Sequence, residues 1–325
     1  MIDRRSFIAR SLAASLIASG VPAARAQTPR STFGRDSTAE EVTAGLDLTG
    51  LTAVVTGCNS GIGFETMRVL ALRGAHVIGT ARTAAKGREA CEKVSGKGGS
   101  GRSGRATPVA LELADFPSVV VCAERIRALT SRIDMLILNA GVVYGDLRQV
   151  YGMERQFVVN HLGHFLLTQR VLDLVKAAPQ GRVVTVGSGN HRDAPPGGIQ
   201  FDDLSGRGWF RRGYAHSKLA NGLFSLELAK RLRGTRATSN CLTPGSVLTN
   251  IRRHTPGSAP AQLKSPGQGA ATQCYVATNP ALAKVSGEYF RDCNPADQSD
   301  QQRDPVMAAK LWAVSTQLTA RYLSE

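Results

Sequence analysis

From residue 46 onward, short apolar runs alternate with longer amphipathic stretches. Residues 51–56, Leu-Thr-Ala-Val-Val-Thr, form a β-branched run that stops at Gly57. Similar runs fall at 75–81, 107–113, 134–140, 182–188, 238–243 and 286–292. Helical stretches lie between them at 61–73, 150–176 and 213–232. Met135-Leu136-Ile137-Leu138 and Val183-Val184-Thr185-Val186 are apolar at successive positions, so both faces of those strands are buried. Alternation of such strands with helices predicts an α/β fold, a doubly wound parallel sheet of about seven strands with helices on both faces. There is no second block of strands and no internal repeat, so 46–325 is expected to be a single domain.

Composition narrows the picture. The chain has 325 residues, 42% of them hydrophobic, and a formal net charge of +15. That describes a globular protein with a real core. One local source of charge is 93–105, a glycine-rich stretch holding Lys93, Lys97, Arg102 and Arg105 with no aromatic residue. It is read as a solvated loop, not a nucleic-acid or membrane-binding surface. The six cysteines form no CxxC and no zinc-finger spacing, so no metal and no structural disulfide are expected. His161 and His164 sit at helical spacing, but no carboxylate or thiol completes a metal set around them.

Residues 1–26 have the layout of a secretory signal: Arg4-Arg5, an apolar uncharged run over 11–21, then Ala24-Arg25-Ala26. Asp3-Arg4-Arg5-Ser6-Phe7-Ile8 resembles the twin-arginine export signal, which carries folded proteins. Export is expected to be to the periplasm. The apolar run is shorter than the roughly 20 residues of a comfortable membrane span. An uncleaved signal serving as an anchor is the alternative. Residues 27–45 are polar and read as a linker.

Two features carry chemistry. Thr56-Gly57-Cys58-Asn59-Ser60-Gly61-Ile62-Gly63 joins the first strand to the first helix. Glycines there let backbone N–H groups approach a pyrophosphate at the positive end of a helix. Tyr214 and Lys218 are four residues apart on an expected helix and share one face. A phenol titrates near 10, and a fixed ammonium lowers that value. A shift of about three units takes roughly 4 kcal/mol and makes the phenol a workable acid/base at pH 7.

With the glycine loop, Asn139-Ala140-Gly141, Asn160, Ser188 and Tyr214-x-x-x-Lys218 in that order, residues 46–325 resemble the short-chain dehydrogenase/reductase family, of Rossmann type. The segments 160–168, 217–221, 264–270, 287–293 and 311–315 resemble its retinol-dehydrogenase-like branch. The resemblance implies an oxidoreductase acting on an alcohol or carbonyl. Tyr214 would be general acid/base, Lys218 would lower its pKa and hold the nicotinamide ribose, and Ser188 would bond the reacting oxygen. Asn160 would fix a water linking Lys218 to solvent. Asn139 would shape the cofactor wall. Pro244, Gly245, Val247 and Thr249 would meet the nicotinamide.

At the end of the second strand the chain reads Thr80-Ala81-Arg82-Thr83. With no carboxylate there to bind a ribose hydroxyl, and with Arg82 able to pair with a phosphate, NADP is favoured over NAD. Glu112, before Leu113, stands where the family usually has Asp against the adenine, so its role is carried by a longer arm. Gly187 replaces a serine common in the branch, and Ser188 is retained. Tyr144, Phe201, Trp209 and Phe210 would suit a lipophilic small-molecule substrate, or are ordinary packing. A cofactor-binding sensor or assembly protein without turnover is the alternative function. Homo-oligomerisation is left open.

Overall fold

The computed structural model describes residues 28–95, 104–252 and 263–323. The leader expected at 1–26 and the middle of the basic loop fall outside them. The strands are β1 (Thr52–Val55), β2 (His76–Ala81), β3 (Arg105–Ala110), β4 (Met135–Leu138), β5 (Gln149–Val150), β6 (Met153–Glu154), β7 (Arg182–Val186), β8 (Thr238–Thr243), β9 (Tyr289–Arg291) and β10 (Asn294–Pro295). The main sheet has eight strands in the order β10-β9-β8-β7-β4-β1-β2-β3. All neighbours are parallel except β9 and β10. The doubly wound sheet is thus as expected, with one added antiparallel edge strand.

That edge strand has a specific cause. Arg291 pairs with Asn294, so Asp292 and Cys293 form a two-residue loop. Both have positive φ, 51° and 61°. This is the backbone a primed hairpin turn requires, and it usually comes from Asn-Gly or Asp-Gly. The Cys293 N–H is held by Thr272 Oγ1 at 3.2 Å, and the Asp292 carboxylate pairs with Lys264. These partners support a conformation that non-glycine residues rarely adopt.

The region expected to be helical from 150 begins differently. β5 and β6 pair as a hairpin across Tyr151 (φ 53°) and Gly152 (φ 73°). Helix then runs through Arg155–Phe157, a π turn at Val158–Leu162, and Gly163–Ala177. The polar stretch expected to be a linker is docked from residue 28 onward. Ala39 and Val42 are buried, the Phe33 ring lies edge-on to Tyr275, and Ser31 Oγ donates to the Cys293 carbonyl at 2.9 Å.

Strand side chains alternate between two cores. Val54, Leu136, Leu138 and Val183 enter one, with helices Phe116–Leu129, Gly163–Ala177, Gly213–Arg231 and Pro305–Thr319. Ala53, Val55, Ile137 and Val184 enter the other, with helices Gly61–Leu72 and Pro266–Thr278. Burial on both faces explains the unbroken apolar runs. The carboxyl ends of β1, β2 and β4 open into one cleft, at the point where strand order reverses. All six cysteines are free and buried. Among the described residues, no helix is long and apolar enough to cross a membrane, and no group of three His, Cys, Asp or Glu could hold a metal.

Candidate active site

The glycine loop leaves β1 at Thr56, which is fully buried. Its Oγ1 accepts the N–H groups of Asn139 and Ala140, each at 2.9 Å. Asn139 Nδ2 donates back to the Thr56 carbonyl at 2.8 Å. These bonds tie the ends of β1 and β4 together below the cleft. Gly63 is required by close approach: a Cβ there would lie 2.3 Å from the Gly57 oxygen and 2.4 Å from Asn139 Nδ2. Gly57 and Gly61 have φ of 71° and 58°. Ser60 caps helix Gly61–Leu72, yet its side chain makes no capping bond. First-turn N–H groups are thereby left for an anion.

The cleft has an empty volume of about 1030 Å³, open solvent included. Gly57 and Asn59, Ser60, Gly61, Ile62 and Gly63 line its floor. Arg82, Glu112, Leu113, Asn139, Ala140, Gly141 and Thr249 line its walls, as anticipated. Among the described residues the exposed Arg82 has no hydrogen-bonding or ionic partner. Glu112 turns one carboxylate oxygen onto the Ala114 N–H at 3.0 Å, bracing its own loop. A cradle of this shape, with an anion-binding helix end and a free cation beyond it, fits a nicotinamide dinucleotide.

Six anticipated cofactor contacts are not part of the cleft lining: Thr56 lies beneath it, Tyr214 and Lys218 stand beside it, and three come after β8. Pro244, Gly245 and Val247 follow β8 but do not line the cleft. Gly245 (φ 82°) sits against the Lys264 side chain, and Val247 packs towards Gly269 of helix Pro266–Thr278. Thr249 is the part of this strap that reaches over the glycine loop, and its Cγ2 would be 3.0 Å from a Cβ on Gly61.

Beside the cleft stand the four candidate catalytic residues. Asn160 lies inside the π turn, which places its amide between two elements. Its Oδ1 accepts the Val142 N–H at 2.8 Å. Its Nδ2 donates to the Val142 carbonyl at 3.0 Å and to Ser217 Oγ at 2.9 Å. Ser217 Oγ donates in turn to the Tyr214 carbonyl at 2.7 Å. Helix Gly213–Arg231 carries Tyr214 and Lys218 on one face, with the Lys218 Nζ 5.6 Å from the Tyr214 ring centre. The buried Lys218 ammonium donates to the Val186 carbonyl at 2.9 Å. Burial lowers its pKa to about 8, opposed by the nearby Cys241 thiol. Gly141 is the spacer: a Cβ there would lie 3.4 Å from Asn160 Oδ1 and 3.6 Å from Lys218 Nζ. Ser188 follows β7, and among the described residues its hydroxyl makes only long bonds to Asn190, 3.2 and 3.3 Å, leaving it easy to redirect.

Sequence reasoning missed His164. Its Nδ1 meets the Asn160 carbonyl at 3.0 Å and its Nε2 meets Thr56 Oγ1 at 2.9 Å. The carbonyl requires a proton on Nδ1, so Nε2 accepts the threonine hydroxyl. Burial lowers the His164 pKa to about 4, in keeping with a neutral ring. The available signal was its position four residues after Asn160. Tyr144, Arg155, Val142 and Val159 also line the cleft. Of the four aromatics expected near substrate, only Tyr144 does. Trp209 packs against His216 and donates to the Asp203 carbonyl at 2.8 Å, Phe201 lies under Lys310, and Phe210 lies beside Arg211.

Comparison with known proteins agrees with this geometry. The family described as short chain dehydrogenase matches residues 51–258. Short-chain dehydrogenase TIC 32 B, chloroplastic, of Brassica napus is 38% identical over 307 residues, covering 89% of this chain and 95% of that protein. Retinol dehydrogenase 14 of Mus musculus is 38% identical over 286 residues, covering 82% and 85%. A crystal structure of a protein from Mycobacterium paratuberculosis aligns with a TM-score of 0.69 at 32% identity, covering 86% and 97%. Family match, relatives and fold agree that the chain belongs to the short-chain dehydrogenase/reductase family and is an alcohol/carbonyl oxidoreductase.

Proposed function

We propose that the protein is an NADP-dependent enzyme interconverting an alcohol with an aldehyde or ketone, with Tyr214 as general acid/base. The observation that carries this is the approach of Asn160, Lys218 and the glycine-spaced wall at Gly141 within one buried cluster beside the cleft. The nicotinamide ring, when bound, supplies or accepts the hydride. Tyr214 gives a proton to the substrate oxygen in reduction and takes it in oxidation. Lys218 keeps positive charge on the same helix face and favours the phenolate. Ser188 donates its O–H to the reacting oxygen, exchanging the long bond to Asn190. Asn160 holds the wall at Val142 and orients the Tyr214 turn through Ser217.

Arg82 supports the choice of NADP, because a guanidinium at the end of β2 with no partner among the described residues suits a ribose phosphate. The loop glycines and the first-turn N–H groups would hold the pyrophosphate, while Thr56, Asn139 and Ala140 brace that loop from below. Val142, Tyr144 and Val159 favour an apolar substrate body. The test is NADPH oxidation over aldehydes, ketones and quinones with NADH in parallel. Equal or faster turnover with NADH overturns the cofactor assignment. No turnover with any carbonyl, together with intact nucleotide binding, favours a sensor of the same fold.

The leader motif supports export to the periplasm, folded and with cofactor already loaded. Nucleotide co-purifying with mature periplasmic protein is the expected result. Protein that arrives empty and binds NADP weakly refutes early loading.

A further inference from the structure

Arg155 is the cleft residue that the proposed chemistry leaves unused. It opens the helix that carries Asn160 five residues later, a separation of roughly 8 Å along the axis. Arg155 lines the cleft, and its Nε is buried with no hydrogen-bond partner among the described residues. The guanidinium carbon stands 5.9 Å from the Tyr144 ring centre. Among the described residues no carboxylate forms an ion pair with it. Glu154, its chain neighbour, is buried and spends its oxygens on the Phe157 N–H at 2.9 Å and on Gln156 Nε2 at 3.1 Å. Arg148, also over Tyr144, is already paired with Asp146 at 3.0 Å. A half-buried guanidinium with an unmet donor is costly unless something supplies acceptors. Val142 and Val159 add apolar wall to the cleft that Arg155 lines.

Resting on the function proposed above, we infer that Arg155 anchors an anionic group on the substrate. The ligand class is then a carbonyl compound, or its alcohol, whose apolar body ends in a carboxylate several bonds from the reacting carbon. Planar guanidinium and carboxylate match in geometry, and the bond formed is charge-assisted.

The test uses binding, so it does not depend on turnover. Decanoate and its methyl ester are titrated calorimetrically into the full protein, with and without excess NADP, for wild type, Arg155→Met and Arg155→Lys. Wild type should bind decanoate at least tenfold more tightly than the ester. Arg155→Met should abolish that preference with the melting temperature maintained, and Arg155→Lys should keep part of it. Equal affinity of wild type for acid and ester, or no binding of decanoate, overturns the inference. So does an Arg155→Met variant that keeps the preference but loses NADP affinity, because the residue would then serve the cofactor. Turnover of decanal and of 10-oxodecanoate is measured separately. Failure to reduce these or any other carbonyl in the NADPH screen sinks the proposed function and leaves the binding result standing by itself.

Discussion

Replacing Lys218 with Met should make the free protein more stable while removing its activity. Burial lowers the lysine pKa from an ordinary 10.5 to about 8. A depressed base binds its proton less tightly when folded, so below pH 8 the folded state carries the cost of a buried cation. As pH rises from 8 to 10.5 the folded lysine is neutral while the unfolded one is still charged, and stability rises with pH. The full difference corresponds to about 3 kcal/mol. Met keeps the stem's packing but loses the bond to the Val186 carbonyl, worth about 1 kcal/mol. That carbonyl still accepts from Asn221 Nδ2 at 3.2 Å. The variant should therefore gain about 2 kcal/mol at pH 7, raising the melting temperature by about 4 °C. Between pH 7 and 9.5 its advantage over wild type should shrink by about 2 kcal/mol. Unfolding of nucleotide-free protein at the two pH values measures both quantities. A variant no more stable at pH 7, or an offset equal at both pH values, refutes the reasoning.

Tyr214→Phe should bind NADP normally and lose hydride transfer by a factor of about 100 to 10,000, the usual range for a general acid/base; unchanged turnover rules out the tyrosine role. Gly63→Ala forces a Cβ to within 2.3 Å of the Gly57 oxygen. It should cost about 1–3 kcal/mol in stability and weaken nucleotide binding, as read by fluorescence titration; unaltered affinity contradicts the cradle. Arg82→Ser should lower the preference for NADPH over NADH by about 10- to 100-fold, the value of one charged hydrogen bond; an unchanged ratio means that Arg82 only faces water.

Sheet and site differed in how readily the sequence showed them. Strands buried on both faces advertise themselves, and β8 falls at the expected 238–243. The hairpin at β9–β10 did not, because its left-handed turn is Asp292-Cys293 and its support comes from Thr272 and Lys264, about 20 to 30 residues earlier in sequence. Tyr151-Gly152 did carry a turn signal, but the helical period that follows obscured it. Trp209 and Phe210 sit in the long segment before Tyr214, where sequence gives no direction for a ring. The docking of 28–45 rests on Ala39, Val42 and the Phe33 ring, too few apolar residues to stand out in a polar stretch.

The spacing of Tyr214 and Lys218 is a property of one helix, but its usefulness depends on what faces it. Gly141, Asn160 and the glycine loop belong to three other elements, and their meeting depends on a buried imidazole. His164 takes the Asn160 carbonyl on one nitrogen and the Thr56 hydroxyl on the other. Thr56 Oγ1 then holds the N–H groups of Asn139 and Ala140. This chain of bonds works only with a neutral ring, because a protonated one would set a donor against the threonine donor and give up its acceptor nitrogen. Burial maintains neutrality by lowering the histidine pKa to about 4. Lys218, also buried but titrating near 8, keeps its proton at pH 7. The two groups therefore hold different charge states side by side. The histidine joins the cofactor loop to the π turn without adding charge, and the lysine supplies the positive charge that a phenol needs to act as an acid and a base.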